Sequence, residues 1–382
     1  MARTGEPSLV VLSSIRWDFL WQRHQALASE LARRGHRTVF VETTGLSNPK
    51  PRAATARRAA ERLLRPGSRD PGGHHPNLTV YAPLVAPPTS RVFRWINREL
   101  FVPRVVRDLR RLAGPRPGVI AYPPTETTLE ILQRLEPART LYDCSDDYGA
   151  FPGVPKDIAE TERELLLSAD SVSCTSAPLL EKVRPVRPDA YLSGPGVDFE
   201  AFREVGGSGD GDVRTVCFFG HIGERVDAAV LRAVAGAGYG VRLVGELDPG
   251  MRGLLEVPGV YYRGTVPHAG LPEALRGVDA LLIPYRMDGL TRAISPAKTY
   301  ECLATGLPVV ATPLPALAEL GEHVYLARSP GEFVEALEGL PVSETAERVR
   351  ARVEVARRNG WEARAAEVER ALGLSGAAAA GR

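Results

Sequence analysis

The sequence predicts an α/β chain of two doubly wound, Rossmann-like domains, and three observations carry that expectation. Short runs rich in β-branched and aromatic residues recur along the 382 residues and alternate with helical patterns, as βαβ units and parallel sheets require. The alternation pauses at 193–212, "SGPGVDFEAFREVGGSGDGD", whose Gly, Ser and Asp content is that of a linker. Charge also changes sign there: residues 1–195 hold 28 Lys/Arg against 21 Asp/Glu, and the remainder 20 against 25. That asymmetry points to separate domains with different partners.

In the first half the strand-like runs are "SLVVLSS", "RTVFVE", "LTVYAP", "GVIAYPP", "RTLYDCS" and "SVSCTS", with helical patterns over 19–34, 92–113, 127–135 and 156–168. The second half repeats the plan with "TVCFFG", "VRLVGE", "VYYRGT", "ALLIPY", "PVVATP" and "VYLA". The expected division is 1–195 for the first domain, 196–345 for the second and 346–374 for C-terminal helices. A break falls at Asn359–Gly360, and the tail 375–382, "SGAAAAGR", is expected to be disordered. In such folds ligands bind at the carboxyl ends of the strands, here in a cleft between facing domains.

Composition excludes several classes. The chain is 44% hydrophobic and 25% charged with net charge +2, ordinary for a soluble protein. No apolar run reaches the length of a membrane span, and the N-terminus has no secretory pattern. Cys144, Cys174, Cys217 and Cys302 are far apart, so they read as reduced core residues of a cytoplasmic protein, with no metal site. The basic residues lack a nucleic-acid-binding motif. The Arg-rich stretch 46–76 reads either as a solvated helix and loop or as a surface for an anionic acceptor or a peripheral membrane contact.

Four stretches carry candidate chemistry. In "ISPAKTYECLATGLPVVATPLP", Ser295 and Pro296 look like an N-cap and first position, and Gly306 closes the helix. Lys298 then adds a cation to the positive end of the helix, which suits a bound phosphate; a surface pair with Glu301 is the plainer alternative. "FFGHIGERVDAAVL" runs strand, Gly220–His221–Ile222–Gly223, helix, and lets backbone approach a ligand or simply packs tightly. Arg225 either adds charge to the same anion or is solvated. "TLYDCSDDYGAFPG" gathers Asp143, Asp146 and Asp147 at a strand end. Crowded carboxylates raise one another's pKa, as a general base needs, while capping is the plainer role. "SSIRWDFLWQRHQALA" holds Arg16, Trp17, Asp18, Arg23 and His24, with Asp18 a candidate helix cap and His24 an ordinary polar residue.

Together "WQRHQALASELARRGHRTVFVE", "YDCSDDYGAFPG", "FFGHIGERVD", "GTVPHAGLPEALRGVDALLIPY" and "LTRAISPAKTYECLATGLPVVAT" resemble the GT-B glycosyltransferases, closest to group-1-like enzymes of teichuronic acid and exopolysaccharide biosynthesis. The resemblance spans about residues 8–372 and is most specific over 281–312. It implies a nucleotide-sugar donor (UDP-, dTDP- or GDP-linked) on the second domain and an acceptor on the first, with a C-terminal helix crossing back to the first. The acceptor is a natural-product aglycone or a cell-surface glycan precursor. No cofactor or metal is implied: a helix end and basic side chains neutralise the leaving diphosphate. By position, Glu301 resembles the glutamate on the donor ribose and Lys298 the cation on the diphosphate. Ser295, Thr291, Gly220, His221 and Arg225 are further donor-side candidates, and Arg16, Trp17 and Arg23 acceptor-side ones. Asp143 is favoured as base over Asp146 and Asp147. One departure stands out: many retaining relatives carry a second Glu eight positions before the ribose glutamate, where this chain has Ala293. A sugar-nucleotide 2-epimerase of the same architecture and a non-catalytic sugar-nucleotide-binding partner are the competing classes.

Overall fold

The structure, a computed structural model, describes residues 8–18, 21–42, 67–69, 75–206, 213–289, 291 and 294–374. Ala293, the tail 375–382 and most of the Arg-rich stretch 46–76 lie outside them. The chain divides into two compact units: residues 1–193 with 361–382, and residues 194–360.

The first unit is built on eight strands: β1 (Ser8–Leu12), β2 (Arg37–Val41), β3 (Gly67–Arg69), β4 (Leu78–Ala82), β5 (Gly118–Ala121), β6 (Arg139–Cys144), β7 (Ser171–Cys174) and β8 (Tyr191–Leu192). Their order is β3-β4-β2-β1-β5-β6-β7-β8. All pair in parallel except the edge strand β3, which runs antiparallel to β4. Central strands such as β1 and β5 are buried on both faces, which is why they read as continuous apolar runs. On one face the helix Arg23–Arg33 packs Leu27, Ala28 and Leu31 against Leu9, Val11 and Ile120. Ala365, Val368 and Leu372 join the same cluster, so the helix Trp361–Ala371 completes this unit's core. Arg34 grips Glu369 through two hydrogen bonds of 2.9 and 2.6 Å, and His36 Nε2 lies 2.7 Å from the same carboxylate.

The second unit carries β9 (Thr215–Phe219), β10 (Gly240–Val244), β11 (Val260–Tyr262), β12 (Ala280–Ile283), β13 (Val309–Ala311) and β14 (Tyr325–Leu326). They form a parallel sheet in the order β11-β10-β9-β12-β13-β14. Separate apolar clusters fill its two faces, one around Cys217, Phe219 and Leu281, the other around Phe218, Leu243 and Leu282. All four cysteines are buried free thiols, and burial pushes Cys217 up to about 12. Among the described residues no helix is long and apolar enough to cross a membrane, and no group of three or more His, Cys, Asp or Glu could hold a metal ion.

Two expected helix starts move. The helix after β1 begins at Arg23, not residue 19; Gln22 and Gln25 cap it reciprocally, and Asp18 pairs with Arg16 at 3.5 Å instead of capping. The helix after β12 begins at Thr299, with Lys298 at its cap position. Pro296 opens a tighter turn ahead of it, its carbonyl accepting from Thr299 N and Oγ1 at 2.9 and 2.6 Å. Ser295 is therefore one turn too early to cap this helix.

Candidate functional site

Each sheet delivers polar side chains at the carboxyl ends of its strands. In the second unit those ends are shaped by two glycines. Gly220, just past β9, has φ +113, and Gly245, just past β10, has φ +135. A Cβ on Gly245 would stand 2.0 Å from the Gly220 carbonyl oxygen, so only glycine permits these two loops to pass so closely. A Cβ on Gly220 would in turn meet Lys298 Nζ at 2.7 Å. Absent both Cβ atoms, the ammonium reaches the strand ends.

Lys298 is only 8% exposed. Its Nζ lies 4.0 Å from the centre of the Phe218 ring and 5.3 Å from that of Tyr285, attractive cation–π contacts. Among the described residues it forms no ion pair with a carboxylate. The pairing with Glu301 considered above does not form, because Glu301 is taken by another partner. His268 Nε2 lies 2.8 Å from Glu301 Oε1, and both side chains are largely buried. His268 was not among the sequence candidates. It stands 33 positions before Glu301, and no local pattern joins the two.

The remaining donor-side candidates are placed as follows. His221 Nε2 lies 2.8 Å from Asp248 Oδ1 on the surface, and Gly223 leaves room for that pair. Arg225 is exposed in the same loop, and its carbonyl accepts from Arg286 N at 2.8 Å. Thr291 is buried and turned into its own loop, donating from Oγ1 to the Arg286 carbonyl at 2.5 Å, while Asp288 Oδ1 accepts from Thr291 N at 2.8 Å. Its hydroxyl shapes the loop before Ser295. Ser295 is half-buried.

The first unit closes its strand ends with a buried polar network. Arg23 Nε and Nη2 donate to the two carboxylate oxygens of Asp143 at 2.6 and 3.2 Å, and Ser173 Oγ adds a third bond at 2.8 Å. Arg23 Nη2 also donates to Ser193 Oγ, which donates to Glu367 Oε2 at 2.6 Å. Burial pulls the Arg23 pKa down, but the charge and hydrogen bonds of Asp143 together with Tyr122 and Glu367 outweigh it, and the net shift is upward. His24 Nδ1 lies 2.8 Å from Ser13 Oγ, and its ring stacks on Tyr122 with centroids 3.5 Å apart. Burial pushes its pKa down to about 3, against an opposing pull from Asp143, so this imidazole is neutral.

This geometry corrects the choice of base. Asp143 has no exposed surface and both its oxygens are engaged by Arg23, with Ser173 on one of them, so the structure gives it the surroundings of a buried ion pair and not of an exposed base; Arg23, its partner, is buried with it. Asp147 Oδ1 accepts from Lys182 Nζ at 2.8 Å. Asp146 is the exposed carboxylate of the three, with Ser145 Oγ donating to its Oδ2 at 3.1 Å. Trp17 is buried against Phe40, centroids 4.9 Å apart, and Arg16 is partly exposed beside Asp18.

Comparison with known proteins agrees with this architecture. Residues 225–370 match a family model described as glycosyl transferase-like. A curated relative from Bacillus subtilis (strain 168), which carries the provisional name teichuronic acid biosynthesis glycosyltransferase TuaH, is 26% identical over 213 residues, 49% of this chain and 54% of that protein. The matched region thus spans about half the length of that relative. Among solved structures, an Escherichia coli trehalose-6-phosphate protein bound with UDP-2-fluoro glucose superposes with a TM-score of 0.64 at 11% identity, covering 96% of this chain and 98% of the other. Anabaena HepE in complex with UDP and glucose gives 0.63 at 12%, covering 98% and 100%. TarM gives 0.63 at 9%, covering 97% and 99%. The chain has the GT-B fold. In this GT-B chain, Lys298 and the His268–Glu301 pair belong to the unit that holds most of the family match, and the Asp143–Arg23 network to the other.

Proposed function

We propose that this GT-B protein transfers a hexosyl group from a nucleoside diphosphate sugar to an acceptor hydroxyl. The observation that carries the reading is Lys298: a buried cation without a carboxylate partner among the described residues, reaching strand ends that two glycines keep open. A cation so placed is stabilised when an anion arrives, because charge-assisted bonds to phosphate oxygens are roughly twice as strong as neutral ones. In this reading Lys298 holds the leaving diphosphate, with Arg225 adding charge from the exposed loop, and no metal is assigned that role. Glu301, oriented by His268, accepts from the ribose hydroxyls. The relatives whose names mention UDP, UDP-2-fluoro glucose and glucose support a donor of this class, and the TuaH name supports a glycan precursor as acceptor. For an inverting transfer, Asp146 is the carboxylate exposed enough to take the acceptor proton.

Calorimetric titration tests the core of this reading. UDP, dTDP and GDP are compared with their nucleosides, on wild type and on Lys298→Ala. At least one diphosphate is expected to bind, with the substitution weakening it far more than its nucleoside. Equal losses for both would remove Lys298 from the phosphate. Mass spectrometry with labelled donors then separates transfer from epimerisation or binding alone, and a donor that is bound but never transferred overturns the assignment as an enzyme.

A further inference from the structure

The segment Arg91–Phe101 of the first unit turns the usual amphipathic arrangement inside out. Ser90 caps its start by accepting from Phe93 N at 3.2 Å. Two of its polar side chains, Arg94 and Asn97, face the protein. Asn97 is buried, accepting from Ala86 N at 2.8 Å and donating to the Ala86 carbonyl at 2.7 Å and to Thr127 Oγ1 at 3.0 Å. Arg94 donates to both oxygens of Asp157 and to the Pro88 carbonyl, and lies 3.1 Å from Glu126. The large apolar side chains face outward instead: Val92 is 65% exposed, Trp95 60%, Leu100 55% and Phe93 40%. Val92, Ile96 and Leu100 recur every four residues, so they share one face of the turn, and a π-helical segment, Asn97–Phe101, carries that face onward.

Folding alone does not favour this arrangement. Contiguous exposed apolar surface marks a surface that something else covers, and here the polar clamps hold the helix so that it stays presented. The surrounding charge says what covers it. Arg91, Arg104 and Arg107 are exposed and pair with no carboxylate among the described residues. Arg98 faces Glu99 at 3.4 Å and Glu130 at 3.8 Å, and Glu99 is the acidic residue on the outward side. Arg104 continues the stripe one turn beyond Leu100. A tryptophan, aliphatic side chains and arginines without a carboxylate partner among the described residues, together on the exposed side of this segment, match the chemistry of an anionic bilayer surface, apolar groups entering the headgroup boundary and guanidinium groups meeting phosphates.

We propose that Arg91–Arg107 is a membrane-docking surface which seats Val92, Phe93, Trp95 and Leu100 in the headgroup region of an anionic bilayer. The inference stands apart from the proposed transferase activity, and its test reads no turnover. The full chain is sedimented with sucrose-loaded vesicles of phosphatidylcholine and phosphatidylglycerol at 7:3, and with pure phosphatidylcholine. Binding is expected on the anionic vesicles and not on the neutral ones, and should weaken as salt rises. Arg104→Ala with Arg107→Ala should lower partitioning about 25-fold, the product of roughly fivefold for each basic residue near such a surface. Trp95→Ser with Leu100→Ser, both exposed positions where the fold has little to lose, should reduce binding to the neutral-vesicle level. Brominated lipid should quench part of the wild-type tryptophan emission, and Trp95→Phe should abolish that quenched component. Absence of wild-type binding to the anionic vesicles, or wild-type binding by the serine double variant, would overturn the proposal. So would Trp95-dependent dimers in sedimentation velocity without vesicle binding, which would make the face a protein contact.

Discussion

Both sheets bring ionised groups to the carboxyl ends of their strands, yet they dispose of that charge in opposite ways. In the first unit Arg23 and Asp143 satisfy each other, and Ser173, Ser193 and Glu367 complete the network. In the second, Lys298 rests on aromatic rings with no carboxylate opposite among the described residues. The contrast separates two meanings of a charged residue at a strand end. A closed pair holds structure together, whereas a buried cation left to π faces has electrostatic capacity to spare for a ligand. Both residues stand out in sequence, Asp143 as a candidate base and Lys298 as a candidate phosphate ligand, but Asp143 is closed in an ion pair whereas Lys298 is not paired with Glu301.

The largest test of that contrast is Asp143→Asn. Removing one partner leaves the Arg23 charge buried, and denaturant unfolding should show a loss of about 3–5 kcal/mol. Arg23→Met combined with Asp143→Leu should recover much of it, since apolar replacements of a whole buried pair are often close to neutral. A stable Asp143→Asn protein that lost turnover would break the comparison and return Asp143 to catalysis. Next comes Lys298→Ala, expected to weaken diphosphate binding about 10- to 150-fold, the range for a hydrogen bond to a charged group. Its melting temperature should stay level or rise, because an unpaired desolvated cation is gone.

A third test uses acid. With its pKa near 3 in the fold against an ordinary 6.5, His24 takes up its proton in the unfolded chain first. Its contribution is therefore complete above pH 6.5 and is lost as pH falls toward 3, at up to about 1.4 kcal/mol per pH unit. His24→Gln should flatten the stability profile across that window; an unchanged slope would mean the imidazole is not closed off from water. The smallest effect is expected from Glu301→Gln. Losing one acceptor for ribose hydroxyls should weaken nucleotide binding about two- to tenfold, and His268→Ala should move it in the same direction. Unaltered affinity in both variants would confine the His268–Glu301 pair to structure.

Much of the fold was legible in sequence. The twelve runs read as strands all contain strands of the two sheets, because parallel strands buried on both faces write themselves as β-branched apolar runs. The strands that were missed have no such signal: Gly67–Arg69 is an antiparallel edge with no apolar residue, and Tyr191–Leu192 has two residues. The site was legible in its parts and not in its pairings. Arg23 and Asp143 both stood out, on different grounds and 120 positions apart, and only the parallel order of the strands makes them one ion pair. His268 carried no mark at all. Ser295 misled because a favoured cap residue before proline imitates a helix start, whereas the chain spends one further turn before Thr299.

The return of residues 361–372 to the first unit has a consequence for synthesis. Residues 194–360 form the second unit, so the first is interrupted in sequence by a complete unit before its core receives Ala365, Val368 and Leu372. At about 5–20 residues per second, a ribosome needs roughly 8–30 s to pass through that insertion. Throughout that interval the apolar face formed by Leu9, Leu27 and Ile120 lacks its cover, and Arg34 and His36 wait without Glu369. The first-made unit is thus the last to complete its core, while the later-made unit has its whole sequence by residue 360.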